Sequence, residues 1–599
     1  MQKLISTLCL LLLFIFSTHA QKRVDHFSAN PSEFIGQLKI YMVAGQPSVL
    51  EKTYEEFKRI FDSGMFTQEE MDTIVATGNK MLTMRMQANP FFKNYLSCLT
   101  TIKKNSVNAE QQFMDWHNVL NKTLEGIENK KTRSYSSFLE FSKTFYEQGA
   151  LRYSKNGTSW IAKNGDFRMK YKNQSPIVEF SQTDLVAVRR SDSIQIWKTS
   201  GEYYPGLELW KGSGGIVNWD DRFEIDEEIY AELPDTFSIR MNTSLYKVKN
   251  AKIHYPSYFG DKLIVGNFED KIVSGKDADY PAFESNKKVL EIDNIGKGIY
   301  FVGGFRLDGL TVYGYGTRNN RAVLKIYDDE EKRLLYKGES ELVIIKRGDF
   351  LVGDRIESTI YYEQDSIYHP SVSIRFNIPK KELQLKRGKR GSDRNPFLSS
   401  VHQLTIDVEN IHAYLRQDSV AIGKQGIALT SGANAYFESL HFFDEGEYMR
   451  NQNISDINSI DIIAVTAERE KTLELDADLI ARRINSKFTE ESIKSHLYEL
   501  MSKGFIDYDS EEHKIYVKDK LIHYFKANSK RVDYDPLKIK SSTDVVNATL
   551  NLRTNELAVT GAKAVEFSRK QRVAILPNDE KITVLKNRDM VFDGKLFAG

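Results

Sequence analysis

The chain has 599 residues, of which 41% are hydrophobic and 12% aromatic, and its formal net charge at pH 7 is +1. This length exceeds what one hydrophobic core organises, so we expect about three or four domains. The charge balance argues against nucleic acid as a partner, because binding to phosphates needs a surplus of Lys and Arg. The mean hydropathy of −0.45 indicates a globular chain without a membrane span.

Residues 1–20 have the composition of a secretory signal peptide. Lys3 supplies a basic start, Leu8 to Phe16 form an apolar run, and small residues stand at −3 and −1 of a cut after Ala20. The run is too short to cross a bilayer. The sequence therefore predicts an exported protein of the periplasm or cell surface. After cleavage Cys98 is the single cysteine, so an intramolecular disulfide is excluded.

Residues 21–150 are predicted to form a helical domain. Ser48 and Thr67 each begin a capping box, in which Glu51 and Glu70 stand three residues later. Apolar and aromatic residues follow both boxes at helical spacing. The wide apolar stripes are typical of helices that bury one face in a core.

Residues 151–465 are predicted to be all-β. Short runs rich in Val, Ile, Phe and Tyr, such as IVEF at 177–180 and GIYFVGGF at 298–305, alternate with Gly, Asn and Asp turns. Helical patterns do not interrupt them. We expect a multi-domain α+β protein in which a helical start precedes a long β body, either a β-solenoid or an elongated jelly-roll-like structure.

Residues 466–530 resemble a winged-helix module, because two amphipathic helices precede GFI at 504–506 and a hairpin. In the DNA-binding members of that class, the second helix enters the major groove. Here the segment carries more acidic than basic residues, and the chain carries an export signal. We therefore interpret the module as a packing or interaction element, with no nucleic acid partner.

Residues 531–599 return to short strands, and FDG at 592–594 and FAG at 597–599 are typical of corners between β-solenoid rungs. An exposed solenoid end favours aggregation unless an element covers it. We expect either that the sequence is the N-terminal part of a longer protein or that a partner covers this end, and we favour the former.

Catalytic motifs of the metalloprotease, phosphate-loop and nucleophile-elbow types are absent from the sequence. His402, His412 and His441 lack the spacing of a zinc-ligand set. The sequence thus predicts no catalytic residue, no metal and no cofactor.

The strongest candidate ligand surface contains Trp197, Trp210 and Trp219, followed by acidic residues at 220, 221 and 224. Indole faces stack on sugar rings, and pairs of carboxylates cleave glycosidic bonds. The alternative is aromatic packing around glycine corners. A carbohydrate-binding role requires at least two of these tryptophans to be exposed in one groove.

The export signal, the helical start and the segments GSGGIVNW at 212–219 and NRDMVFDG at 587–594 resemble large secreted and envelope proteins of the Bacteroidota. Short strands with glycine corners are more weakly similar to the β-jelly-roll proteins of lipopolysaccharide transport. Neither resemblance implies an activity or a site residue for this chain. Our leading hypothesis is an exported, non-enzymatic scaffold or interaction protein of the cell envelope. The alternative is a carbohydrate- or lipid-binding protein or polysaccharide-active enzyme that uses the Trp197–Trp219 region.

Overall fold

A computed structural model describes residues 24–598, except for 44–46, 107, 128–132, 275–278, 329–331, 390, 424–432, 452–457, 533–536 and 569–571. The predicted signal peptide at residues 1–20 lies outside the described residues. None of the helices in the described ranges is long and apolar enough to cross a membrane.

Helices occupy the first part of the chain and recur near residues 445–528. They are α1 Pro31–Val43, α2 Pro47–Asp62, α3 Gln68–Thr83, α4 Lys93–Asn105, α5 Ala109–Glu125, α6 Arg133–Gln148, α7 Pro256–Phe259, α8 Glu445–Arg450, α9 Ser459–Glu470, α10 Ala477–Ile484, α11 Glu490–Ser502 and α12 Asp519–Asn528. The predicted capping box at Thr67 is present before α3, where the Thr67 Oγ1 and Glu70 carboxylate each accept a main-chain N–H. By contrast, α2 begins at Pro47, one residue before the predicted cap Ser48.

The chain divides into two compact units, one reaching Pro256 and including Asp261–Phe283, the other formed by Ser257–Gly260 and the chain from Glu284 onward. The strands of the first unit are β1 Ala150–Arg152, β2 Ser159–Lys172, β3 Ser175–Arg189, β4 Asp192–Tyr204, β5 Leu209–Ser213, β6 Ile216–Asn218, β7 Tyr230–Glu232, β8 Phe237–Arg240, β9 Tyr246–His254 and β10 Ile264–Asp270. A further strand, β11 Ala282–Ser285, crosses the division between the units.

In the first unit, β1 to β4 pair antiparallel in chain order, and β2, β3 and β4 are the long strands. Strand β4 then pairs with β5 through one half and with β6 through Trp197. The β5 branch continues to β8, and the β6 branch continues through β7 and β9 to β10. The antiparallel sheet therefore divides into two branches at β4.

The second unit consists mainly of short antiparallel strands. They are β12 Leu290–Gly296, β13 Ile299–Asp308, β14 Thr311–Tyr315, β15 Ala322–Tyr327, β16 Leu334–Ser340, β17 Leu342–Lys346, β18 Phe350–Tyr362, β19 Asp365–Asn377, β20 Glu382–Lys386, β21 Phe397–Ser399, β22 Leu404–Asp407, β23 Asn410–Tyr414, β24 Ser419–Ile422, β25 Ala433–Ser439, β26 Glu474–Asp476, β27 Ile506–Asp509, β28 Lys514–Val517, β29 Lys538–Thr543, β30 Ala548–Asn551, β31 Leu557–Thr560, β32 Ala562–Ser568, β33 Val573–Pro577, β34 Lys581–Val584, β35 Met590–Val591 and β36 Gly594–Phe597.

The strands of the second unit pair in two long runs. One run passes through β15, β16, β18, β19, β21, β22, β25, β29, β32, β33 and β36. The other passes through β14, β17, β18, β19, β20, β23, β24, β30, β31, β34 and β35. The long strands β18 and β19 belong to both runs. Within these strands buried side chains alternate with half-buried or exposed ones, as in β15 and β20, because successive residues face opposite sides of a sheet.

A helical insert separates β25 from β29, although these two strands pair with each other. It contains α8 to α12 and the three-stranded sheet β26–β28–β27. Its own core includes Ile480, Leu497, Leu500 and Tyr524, none of which has more than a trace of exposed surface. The helices of this insert begin at Glu445, earlier in the chain than the predicted module.

The structure is thus a mixed α+β protein, with helices at the start and a large antiparallel sheet body. This coarse architecture confirms the sequence prediction. Alternation of apolar and polar residues is a strong signal for such strands because it matches the two-residue period of the pleat.

Candidate ligand-binding cleft

A cleft of about 910 Å³ opens between α5, α6 and the long strands β2, β3 and β4. We call it the helix–strand cleft. Its volume falls within the range of small-molecule sites, about 300–1,000 Å³. Its lining combines side-chain amides, carboxylates and aromatic rings, together with three glycines.

The helical wall is fixed to the strands by polar contacts. The Gln112 Nε2 of α5 donates to the Phe167 carbonyl at 3.1 Å, and Arg168 Nη2 of β2 lies 3.1 Å from an Asp115 carboxylate oxygen of α5. Helix α6 ends at Gln148, and Gly149 follows it with a φ of +69°, a left-handed conformation that would strain a residue with a Cβ. Gly149 leads directly into β1 and also lines the cleft.

The pairing of β2, β3 and β4 is irregular where these strands form the wall of the cleft. The register between β2 and β3 shifts around Asp166, and the register between β3 and β4 shifts around Thr183. Asn164, in the left-handed region at φ +54°, donates to the buried Asp184 carboxylate at 3.2 Å. The other oxygen of that carboxylate accepts the Lys198 main-chain N–H at 2.9 Å. β-Bulges bend strands and often stand beside binding sites.

A row of charged residues crosses the strand wall. The register places Arg168 opposite Glu179 and Glu179 opposite Glu202 on three adjacent strands. Like charges directly opposite each other are destabilising, but Lys170 binds Glu179 and Lys172 lies 2.8 Å from Glu202. The row is therefore balanced by its own ion pairs.

Aromatic side chains form the floor of the cleft. Phe145 and Phe180 are buried, whereas Tyr146 and Phe167 are partly exposed, with ring centroids 6.0 Å apart. Burial raises the pKa of Tyr146 well above its usual range, so its hydroxyl remains a donor at neutral pH. These rings give the cleft an apolar surface beside its polar wall.

Glu202 of the wall lacks the property of the acid residue of a glycosidase. Hydrogen bonds from Lys172 and Tyr204 lower the pKa of Glu202. Glycoside cleavage needs one carboxyl whose pKa is raised, so that it can donate a proton to the leaving group. Glu202 is thus better suited to accepting hydrogen bonds than to acid catalysis.

The three predicted ligand tryptophans are not brought together on a surface. Trp210 and Trp219 are fully buried; Trp210 packs on Phe180 beneath the cleft floor, with centroids 5.7 Å apart, and Trp219 packs on Phe268. Trp197 is partly exposed. The required pair of exposed tryptophans is therefore not formed.

Of the acidic residues that follow these tryptophans, Asp221 lines a different, smaller cavity of about 90 Å³. Trp197 Nε1 donates to Asp221 at 2.8 Å. The next residue, Arg222, lies 2.8 Å from the buried Asp270 and also donates to the Tyr280 carbonyl. Burial raises the pKa of Asp270 to about 7, with Arg222 acting in the opposite direction. The cavity is too small for a sugar ring, and Arg222 serves as an internal counter-ion.

The three histidines that were considered as zinc ligands lie at separate positions in the structure. His402 contacts the Asn555 carbonyl at 2.8 Å, His412 lies 3.8 Å from Glu382, and the His441 ring packs against His523. Among the residues that the structure describes, no group of three or more His, Cys, Asp or Glu side chains is arranged to hold a metal ion.

No protein-family model, curated protein or solved structure matches this chain. The description of the cleft therefore depends on its own geometry.

Sequence reasoning missed the helix–strand cleft because its lining comes from five separate segments. One local signal was available: Asn164-Gly165 interrupts a strand pattern, as residues at bulges often do. A side chain at Gly165 would place its Cβ only 2.6 Å from the Gln182 carbonyl oxygen, so the close approach of β2 and β3 requires glycine there.

Proposed function

We propose that the protein is an exported, non-enzymatic interaction protein of the bacterial cell envelope, and that the helix–strand cleft is its ligand-binding surface. The observation that carries this proposal is a cleft of about 910 Å³ whose walls are fixed by hydrogen bonds and ion pairs. Such walls hold their shape without a ligand, which limits the ordering penalty of binding. The predicted signal peptide supports export.

The protonation states of two buried histidines, His117 and His369, favour a binding role over catalysis. The ring nitrogens of His117 contact Tyr95 and the Phe113 carbonyl, and those of His369 contact the Asn395 carbonyl and the Ser371 N–H. Burial lowers the pKa of both histidines to about 3. They are neutral structural groups, unsuited to accepting a proton during turnover.

We further propose that the second unit is an elongated jelly-roll-like scaffold that carries a winged-helix-like module. The two continuous runs of antiparallel strands favour this description over a solenoid, because a solenoid would repeat one rung. In the insert, α11 exposes Glu491 and Glu499, an unsuitable surface for phosphates. Arg318 of the body pairs with Glu512 of the insert at 3.4 Å, which supports a packing role for this module.

Sedimentation with isolated cell envelopes of the producing bacterium tests the proposal. Ser181 is exposed on β3 and lines the cleft, so Ser181→Tyr fills the cleft with a side chain that strands tolerate. Ser238 is exposed on β8 outside the lining, and Ser238→Tyr is the matched control. We expect the native protein and the control to sediment with envelopes, and Ser181→Tyr to lose at least about tenfold in apparent affinity, with equal melting temperatures for all three.

Equal sedimentation of the three proteins, or none by any of them, overturns the proposed role of the cleft. The export part of the proposal has its own readout, which is the N-terminus of the protein recovered from the envelope or medium. A start at Gln21 agrees with export, and an intact N-terminus in the cytoplasmic fraction contradicts it.

A further inference from the structure

We infer that the helix–strand cleft binds a neutral, hydroxyl-rich glycan chain. This inference depends on the proposed function and adds the class of ligand. It follows from three features of the lining: paired charges, side chains that can both donate and accept hydrogen bonds, and two partly exposed aromatic rings.

The charge of the cleft is largely satisfied before any ligand arrives. Arg168 is paired with Asp115, Glu179 with Lys170 and Glu202 with Lys172. An ionic ligand would have to displace these partners before it could pair with the same side chains, and solvent and salt screen exposed ion pairs, so the gain would be small. A neutral ligand can instead use the fixed oxygens and nitrogens of these pairs as hydrogen-bonding groups.

The rim adds polar groups that are open to a ligand. Asn105 and Asn108 stand at the end of α4 and before α5, and both are exposed. Their side-chain amides make no hydrogen bond to the described residues, and neither does the Asp166 carboxylate of β2. Each amide offers a donor and an acceptor, and a carboxylate can accept from two neighbouring hydroxyls at once. That combination matches the adjacent hydroxyl groups of a sugar ring.

The aromatic floor supplies the apolar half of sugar recognition. Tyr146 and Phe167 are both partly exposed, and their ring centroids are 6.0 Å apart. Sugar rings present C–H groups on one face and hydroxyls at the edge, so a ring can lie on aromatic faces while its edge reaches a polar wall. The cleft places these two kinds of surface next to each other.

Other ligand classes fit this lining less well. An extended peptide binds most readily by adding to a sheet edge, but at the cleft β3 is paired with both β2 and β4. On the outer side of β2, the Phe167 carbonyl already accepts from Gln112, and the Ala162 N–H already donates to the Gly149 carbonyl. Acyl chains would bury the carboxylates of Glu179 and Glu202 against hydrocarbon, which is costly for charged groups. A glycan avoids both conflicts.

Calorimetric titration with cellohexaose, maltohexaose, mannohexaose and chitohexaose tests this inference on the full mature chain. We expect at least one of them to bind, and Ser181→Tyr to abolish that binding while Ser238→Tyr retains it. Asp166→Asn should weaken it about threefold to tenfold, whereas Asp226→Asn, which removes an exposed charge outside the cleft, should leave it unchanged. Equal circular dichroism spectra and melting temperatures show that the variants are folded.

The two proposals fail in different ways. Cleft-dependent sedimentation with envelopes, combined with no binding of any neutral hexasaccharide, overturns the glycan assignment and leaves the cleft as a binding surface for another component. Binding that requires an anionic oligosaccharide such as polygalacturonate also overturns it. Glycan binding that Ser181→Tyr does not alter places the ligand elsewhere and contradicts the inference.

Discussion

The ion pair between Lys103 and Glu70 gives a prediction that can be worked out from the structure. The Lys103 Nζ lies 2.6 Å from one Glu70 oxygen, and the two side chains are only 6% and 2% exposed. The other Glu70 oxygen accepts the Thr67 main-chain N–H at 2.9 Å. Lys103→Met keeps the aliphatic contacts but leaves a buried carboxylate without its counter-ion. Loss of one partner of a buried pair costs about 3–5 kcal/mol.

Denaturant unfolding followed by tryptophan fluorescence measures this effect, because all 5 tryptophans of the chain belong to the first compact unit. Lys80→Met is the control: its partner Glu125 lies 3.1 Å away, but the side chains are 47% and 64% exposed, so the loss should stay below about 1 kcal/mol. The double variant Lys103→Met, Glu70→Gln should recover much of the stability. If Lys103→Met unfolds within about 1 kcal/mol of Lys80→Met, the reasoning about burial is refuted.

Three further predictions concern titration, backbone conformation and the sheet edge. Burial raises the pKa of Asp270 from 3.8 to about 7, so between these values the folded state holds a proton that the unfolded state releases. The free energy of unfolding should therefore fall as pH rises from about 4 to 7. Asp270→Asn should flatten this pH dependence in urea titrations, and an unchanged dependence would contradict the prediction. Gly201→Ala should destabilise the first unit by at least about 2 kcal/mol, because φ is +156° and the new Cβ would lie 2.2 Å from the Lys211 carbonyl oxygen. At Gly206, the control position, a new Cβ meets no atom within 4 Å. Thermal unfolding should therefore show no change for Gly206→Ala. Leu596 and Phe597 of β36 are 68% and 50% exposed. Changing both to Lys should leave the melting temperature unchanged and reduce aggregation, measured as light scattering at high protein concentration. Equal scattering by the native protein and the variant would count against exposure of this edge.

Local patterns predicted the coarse fold well. The capping box at Thr67, the apolar stripes of the early helices and the alternation of the strands all act within a few residues, so their signals survive in the sequence. The change from helices to strands near residue 150 is also local: α6 ends at Gln148, Gly149 follows, and β1 begins at Ala150.

The helix–strand cleft could not be predicted from local sequence patterns, because strand register determines which residues line it. Glu179 and Glu202 lie 23 positions apart in the numbering, yet the pairing of β3 with β4 places them opposite each other. The burial of Trp210 agrees with the alternative of aromatic packing around glycine corners, and it also depends on strand pairing. A Cβ on Gly201 would lie 2.9 Å from the Trp210 ring, so a glycine on the neighbouring strand makes room for the indole inside the sheet. Glycine-rich segments with tryptophans can thus indicate close packing as well as an open surface.

The position of the helical insert has a consequence for the order of folding. Glu438 and Lys538 are cross-strand partners, yet they are 100 residues apart in sequence. Closing a flexible loop of that length costs about 4 kcal/mol in chain entropy, with a further constant term. If the insert, which has its own core, folds first, most of that loop becomes a compact body and the remaining flexible chain is short. We expect amide protons of α11 to gain protection from exchange before those of β25 and β29, so that the insert assembles first and the sheet closes around its ends.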